Sequence, residues 1–275
     1  MAACGEGGVE ELPSLSTTGR VLVRVCEVSK QYGSGSRAVD ALAKISFDLV
    51  EGEFLSIVGP SGCGKSTLLM ITSGLLPASS GTVAINGTAI DRPFTNLGIV
   101  FQSPVLLGWR TALSNILLQV EVRRLQRLSF EDRARELLAS VGLKGFEDRY
   151  PHELSGGMRQ RVAICRALVH DPPLLLMDEP FGALDALTRE QLNLDLQRIW
   201  QEHRKTVLFV THNIFEAVFL SDRVLVMSAR PGRIRAVLDI DIPRPRQLDM
   251  PEHSGMFDYV QEIRKIFHAE GVLSG

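Results

Sequence analysis

At 275 residues the chain is long enough to bury a sizeable core, as one large domain or a domain with a subdomain. A formal net charge of −2 and a pI near 6.3 give no sign of the basic surface that nucleic-acid binding requires. The 45% hydrophobic content is that of an ordinary soluble protein, and no apolar stretch approaches bilayer-spanning length.

Residues 1–19 have neither the basic start nor the apolar core of a secretory signal; rich in Gly, Ser, Thr and Glu, they are expected to form a disordered tail. Four cysteines, Cys4, Cys26, Cys63 and Cys165, form no C-x-x-C pair and no metal-ligand spacing, which suits a reducing compartment. A β-rich run over residues 21–25 opens the ordered part. Residues 30–36 follow as a turn carrying Tyr32, and residues 45–49 alternate like a half-buried strand. Glu51-Gly52 then turns the chain into the apolar run Phe54-Leu55-Ser56-Ile57-Val58.

That run leads into Gly59-Pro60-Ser61-Gly62-Cys63-Gly64-Lys65-Ser66-Thr67 and then Leu68-Leu69-Met70-Ile71. The spacing G-x-x-x-x-G-K-[ST], set between a strand and a helix, is that of a phosphate-binding loop. Its glycines let the backbone curl until successive N–H groups face phosphate oxygens, and the helix start adds the positive end of its dipole. Lys65 supplies a mobile charge for the β- and γ-phosphates, and the Ser66 hydroxyl is placed to hold Mg²⁺. The motif predicts that the chain binds a nucleoside triphosphate. Cys63, beside this N–H-rich helix start, is expected to have a lowered pKa and to be the most reactive of the four thiols.

Gly74 and Pro77 end the first helix, residues 82–87 form a strand entering an Asn-Gly turn, and residues 98–102 a short buried strand ending in Gln102. From residue 111 to 169 the period becomes helical, with helices over residues 112–122, over 130–141 with Ser129 as cap, and over 156–169. Apolar strands at residues 174–177, 207–210 and 224–227 follow, separated by a helix over 186–203 with Leu187, Leu192, Leu196 and Ile199 on its apolar face. Near-continuous apolar strands between helices predict a parallel sheet covered on both sides. A strand over residues 233–240, a Pro-rich link over 242–245 and an amphipathic helix over 256–268 complete the chain.

Sites in such sheets form at the carboxyl ends of strands, and three ends carry the residues that triphosphate hydrolysis needs. One enters the phosphate loop. The second ends in Asp178-Glu179, where Asp178 can hold the Mg²⁺ sphere while Glu179 polarises the attacking water. The third ends in His212, followed by Asn213 and Glu216 in a capping-box pattern. A second anion cradle is Ser155-Gly156-Gly157, an N-cap and two glycines opening a helix.

The phosphate loop, Gln102, Leu154-Ser155-Gly156-Gly157, Leu176-Met177-Asp178-Glu179-Pro180, Ala183-Leu184-Asp185 and His212 follow one another in the order of an ABC-transporter nucleotide-binding subunit, which the chain resembles over about residues 21–235. The resemblance implies an α/β fold: a P-loop NTPase core with a mainly parallel sheet, an N-terminal antiparallel β-subdomain and an inserted α-helical subdomain at about residues 104–170. The ATPase domain would span 20–241 and a C-terminal extension 242–275. It implies that Ser155 and Gly157 reach the γ-phosphate of ATP held by a second copy of the chain. Gln102 would sense Mg²⁺ and the membrane partner, Asp185 would line the dimer seam, Tyr32 would stack on adenine, and Glu179, His212, Lys65 and Gln102 would serve catalysis. One phosphate loop and one such signature per chain then imply two chains enclosing two ATP molecules.

Leu106-Leu107-Gly108-Trp109, the Met158 signature and Ala229-Arg230-Pro231-Gly232-Arg233-Ile234 are similar to importer subunits of the nitrate/sulfonate/taurine type, although that group usually has Pro where Gly108 stands. The implied partners are transmembrane permease chains with a periplasmic or lipid-anchored solute-binding protein, and the implied place is the cytoplasmic face of the inner membrane. An exporter subunit and a soluble ABC ATPase working on ribosomes or DNA are the alternatives. The soluble class usually carries two nucleotide domains or a long coiled-coil insertion, and the sequence shows neither. Leu106, Leu107 and Trp109 read either as core or as a groove receiving a permease helix.

Overall fold

The computed structural model describes residues 19–248 and 255–272, so the expected tail lies outside the described residues up to residue 18. Two sheets form. The first is antiparallel and joins β1 (Val21–Tyr32), β2 (Val39–Val50), β4 (Ser80–Ile85) and β5 (Thr88–Ala89) in the order β2-β1-β4-β5. The second takes β3 (Phe54–Val58), β6 (Leu97–Val100), β7 (Leu174–Asp178), β8 (Thr206–Thr211), β9 (Arg223–Met227) and β10 (Ile234–Asp239) in the order β10-β9-β3-β8-β7-β6. All its neighbours are parallel except β10, which turns back on β9.

Period-two alternation in the central strands divides their side chains between two cores. Phe54, Val58, Leu175, Met177, Val207 and Phe209 point to the side covered by most of the helices. Leu55, Ile57, Leu174, Leu176, Leu208 and Val210 point to the other, against the antiparallel sheet and α1 (Lys65–Thr72). These strands are buried on both faces, each such Leu or Val contributing about 1.5–3 kcal/mol. This burial fixes the strand register, and with it the positions of the strand ends.

Between β6 and β7 come α2 (Ala112–Val122), α3 (Leu128–Ser140) and α4 (Gly156–Leu168), packed through Ile116, Leu117, Leu138 and Ile164. Ser155 caps α4 as expected, its Oγ accepting from the Met158 N–H at 3.2 Å. Ser129 does not cap α3. The helix starts two residues earlier, after Arg127, because the turn at Gln126 and Arg127 already accepts the N–H groups of Ser129 and Phe130. The predicted turn over 30–36 starts late as well, since β1 continues through Tyr32 and pairs it with Val39. Leu187, expected on the apolar face of α5 (Ala186–His203), is 78% exposed; it lies in the first turn, ahead of where Leu192, Leu196 and Ile199 reach the core.

After β8 the short α6 (Ile214–Leu220) is capped by Asn213 Oδ1, which accepts from the Phe215 and Glu216 N–H groups. Residues beyond β10 fold back over this helix, and α7 (Met256–Ala269) buries Met256, Ile263 and Phe267 in the same core. Arg246, only 1% exposed, fastens the return. Its guanidinium donates to Val218, Phe219, Ser221 and Ile242 carbonyls at 2.7–3.1 Å, while its backbone exchanges two bonds with the Gln197 amide. Burial, reinforced by nearby Arg244, pulls its pKa down to about 10, still leaving it charged at neutral pH. Arg244 lies over the Trp200 ring at 4.3 Å.

Candidate functional site

The loop from Gly59 leaves the carboxyl end of β3 at the centre of the sheet and re-enters as α1, with Gly64 (φ 103) in the left-handed region as its N-cap. Lys65 is 4% exposed. Its Nζ donates to Gly59 O at 2.9 Å and Pro60 O at 3.1 Å, and stands 3.4 Å from Glu179 Oε1. The ammonium is thus held inside the curl of its own loop. A cavity of about 400 Å³ opens beside it, lined in part by Tyr32, Lys65, Ser66, Thr67 and Glu179.

Two neighbouring strands deliver the remaining groups. Asp178 ends β7 and accepts from the Ser66 hydroxyl at 2.8 Å through Oδ1. Burial pushes its carboxyl pKa up, against the Ser66 bond, and the charge of Glu179 adds to the rise while Lys65 opposes it. Glu179 takes a left-handed backbone (φ 43), a conformation that costs a non-glycine residue about 1–3 kcal/mol. The twist separates the tasks of adjacent carboxylates: Asp178 faces Ser66, and Glu179 faces Lys65 and His212. His212 Nδ1 lies 2.9 Å from Glu179 Oε2, following the end of β8. A carboxylate held between an ammonium and an imidazole, at the lip of a phosphate cavity, can orient and polarise a water molecule.

Ser66 and Asp178, 2.8 Å apart, offer the hard oxygen donors that Mg²⁺ prefers. Among the described residues no cluster of three His, Cys, Asp or Glu side chains could hold a metal by itself, so the ion would share its sphere with nucleotide phosphates and water.

Tyr32 projects from the end of β1, its hydroxyl 3.2 Å from Thr67 Oγ1. Gln102 stands beside the segment after Glu179, its Nε2 3.3 Å from where a Cβ on Gly182 would sit. Ser155, Gly156 and Gly157 do not line the cavity. Gly156 and Gly157 face Leu184 and the first turn of α5 instead, where a Cβ on Gly157 would come within 2.5 Å of the Thr188 methyl group, and Asp185 caps that helix by accepting from the Thr188 N–H at 3.0 Å. The chain therefore builds two separate surfaces, a phosphate cavity and a signature helix start with Asp185 next to it.

Cys63 overturns the expectation of a reactive thiol. It is 1% exposed and packed in the core beneath the loop, and burial pushes its pKa up despite nearby Lys65. The flanking glycines reveal the backbone path but not which way the thiol points. Other residues that serve the site lie outside the motifs. On α4, Gln160 Nε2 donates to Phe101 O at 3.3 Å and Arg166 donates to Pro104 and Val105 carbonyls at 2.7 and 2.8 Å, so the signature helix grips both sides of Gln102. Glu216 departs from the capping-box pattern: instead of bonding back to the cap, it accepts from the Thr211 hydroxyl at 2.6 Å and faces Arg189 at 3.6 Å. Arg189 in turn donates to Leu184 O at 3.0 Å, which links the base of His212 to the Asp185 turn.

The family model described as ABC transporter matches residues 42–182. A taurine import ATP-binding protein of Rhizobium johnstonii is 50% identical over 214 residues, 78% of this chain and 80% of that protein. An aliphatic sulfonates import ATP-binding protein of Bacillus cereus is 44% identical over 243 residues, 88% of this chain and 93% of that protein. Among solved structures, a dimeric ATP-binding cassette in a post-hydrolysis state with ADP and Pi superposes with a TM-score of 0.70 at 33% identity, covering 80% of this chain and 99% of that one.

Proposed function

Because the chain belongs to the ABC transporter family as one of its ATP-hydrolysing subunits, we propose that it closes on ATP as a dimer and drives import of a sulfonate-type solute through separate permease chains. The observation that carries the reading is the convergence of Lys65, Glu179 and His212 within hydrogen-bonding or ion-pair distance at one phosphate cavity. In the proposed cycle, Gly59 to Thr67 wrap the phosphates and Tyr32 stacks on adenine. Lys65 neutralises the β- and γ-phosphates, and Glu179, oriented by His212, draws the proton from the attacking water. Mg²⁺, held by Ser66, Asp178 and Gln102, would offset the charge that develops on the phosphates. Ser155, Gly156 and Gly157 of the second copy would cover the γ-phosphate, with Asp185 along the seam. Import is favoured over export by the similarity to taurine and aliphatic sulfonate import proteins. A solute-binding protein outside the membrane and a place on the cytoplasmic face of the inner membrane belong to the same reading. Among the described residues no helix is long and apolar enough to cross a bilayer, so membrane attachment would run through the permease.

The permease is proposed to dock on the segment after Gln102. Trp109 is 76% exposed, which takes it out of the core. Val105 from the same loop lines an apolar groove of about 690 Å³ between β6 and α2, together with Ile99, Leu118, Val122 and Leu125. An apolar helix of the membrane chain fits that lining, and Arg166 ties the loop to the signature helix. In proteoliposomes holding the chain with its permease and solute-binding protein, ATP is expected to drive uptake of taurine or an alkanesulfonate. Trp109→Ala is expected to weaken assembly and uptake by about 2 kcal/mol of interface energy, while the ATPase rate of the isolated subunit stays within about twofold. Unchanged assembly and uptake would move the docking groove elsewhere.

A further inference from the structure

The segment Ala229 to Arg233, between β9 and β10, is built against the phosphate loop. Gly232 forms a parallel bridge with Leu42 of β2, donating to Ala41 O at 2.9 Å and accepting from the Ala43 N–H at 3.0 Å. A Cβ on Gly232 would lie 2.2 Å from Cys63 O, so the segment touches the loop backbone at that point. Ser228 fixes the other side, its Oγ donating to Pro231 O at 3.2 Å and accepting from the Arg233 N–H at 3.1 Å. Arg230 is thereby carried to the outer lip of the loop. Its Nε and Nη2 donate to Gly62 O at 3.1 and 2.9 Å, and its side chain lines the same cavity as Tyr32, Lys65 and Glu179.

Among the described residues this guanidinium has no carboxylate partner. A single neutral carbonyl uses two of its five donors and leaves its charge uncompensated, at the mouth of a cavity shaped for a polyanion. We propose that Arg230 is a nucleotide-binding residue, engaging the polyphosphate of ATP from the lip of the loop opposite the enclosed Lys65. The inference rests on the cavity being the ATP site. Lys65 is 4% exposed within the curl of the loop, whereas Arg230 is exposed to solvent, so its charge also steers the incoming polyanion.

The test is equilibrium titration of the full chain with Mg-ATP at low and at high salt, in the Glu179→Gln background so that nucleotide is not consumed. Arg230→Gln keeps an N–H donor for Gly62 O but removes the charge; Arg230→Lys keeps the charge. Arg230→Gln is expected to bind ATP about tenfold more weakly at low salt and to lose less affinity as salt is added, with Arg230→Lys closer to the parent on both counts. Arg230→Gln binding as tightly as the parent, or more tightly than Arg230→Lys, would overturn the inference and leave a tether for the Gly62 carbonyl. A parent that fails to bind ATP would instead overturn the site reading itself, and the inference with it.

Discussion

Glu179→Gln is expected to lower ATP hydrolysis by about 100-fold or more while ATP binding persists. The substitution keeps the size of the side chain and an oxygen acceptor for Lys65, 3.4 Å away, but removes the group able to take a proton from water. His212, 2.9 Å from Oε2, would still hold the side chain in place, so geometry is retained and the chemical step alone is lost. Bound ATP would then no longer be cleared, and the dimer should accumulate on gel filtration when ATP is added. Turnover near the wild-type rate would take Glu179 out of the role and leave His212 without the partner that the cycle requires.

Arg246→Ala is expected to have the largest effect on stability, about 4 kcal/mol, or a fall in Tm of about 10 °C. The alanine would leave buried carbonyls of Val218, Phe219, Ser221 and Ile242 without their donor, in a core that excludes water. Arg246→Lys should recover little, since one ammonium cannot reproduce a planar fork that spans the end of α6 and the returning chain. Chemical denaturation monitored by circular dichroism reads the difference. A loss below about 1 kcal/mol would show that the segment after β10 is an appendage rather than part of the fold.

These two residues differ in how openly the sequence declares them. Glu179 follows a strand of pure Leu and Met, and burial on both faces of that strand leaves its carboxyl end as the first place a charge can stand. The same logic exposes Asp178 and His212, and strand-loop-helix spacing exposes Lys65 and Ser66. Local pattern suffices there because the sheet aligns the strand ends. Arg246 follows directly on the Pro-rich link over 242–245, and its acceptors lie 4 to 28 positions away, where no periodicity points. Cys63 escapes local pattern for a related reason: the glycines around it specify a backbone curl, while the direction of the thiol depends on the antiparallel sheet packed underneath. Arg230 stood inside a stretch that only marked a subgroup resemblance. Its contact with Gly62 spans 168 positions and exists only because Gly232 bonds to β2. Leu187 fails in the opposite sense, as helical periodicity extends to a first turn that projects beyond the core.

Ser155 and Gly157 lie off the cavity that Lys65 and Glu179 share, so in the proposed cycle a competent site needs two chains. The direct measurement is ATP hydrolysis by a mixture of Lys65→Ala chains, unable to hold nucleotide, with Ser155→Arg chains, unable to close over it. In a mixed dimer the intact phosphate loop of the Ser155→Arg chain meets the intact signature of the Lys65→Ala chain, giving one competent site. The mixture is expected to recover part of the wild-type rate while each variant alone stays near background. Each purified variant hydrolysing ATP at the wild-type rate on its own would contradict the proposed cycle.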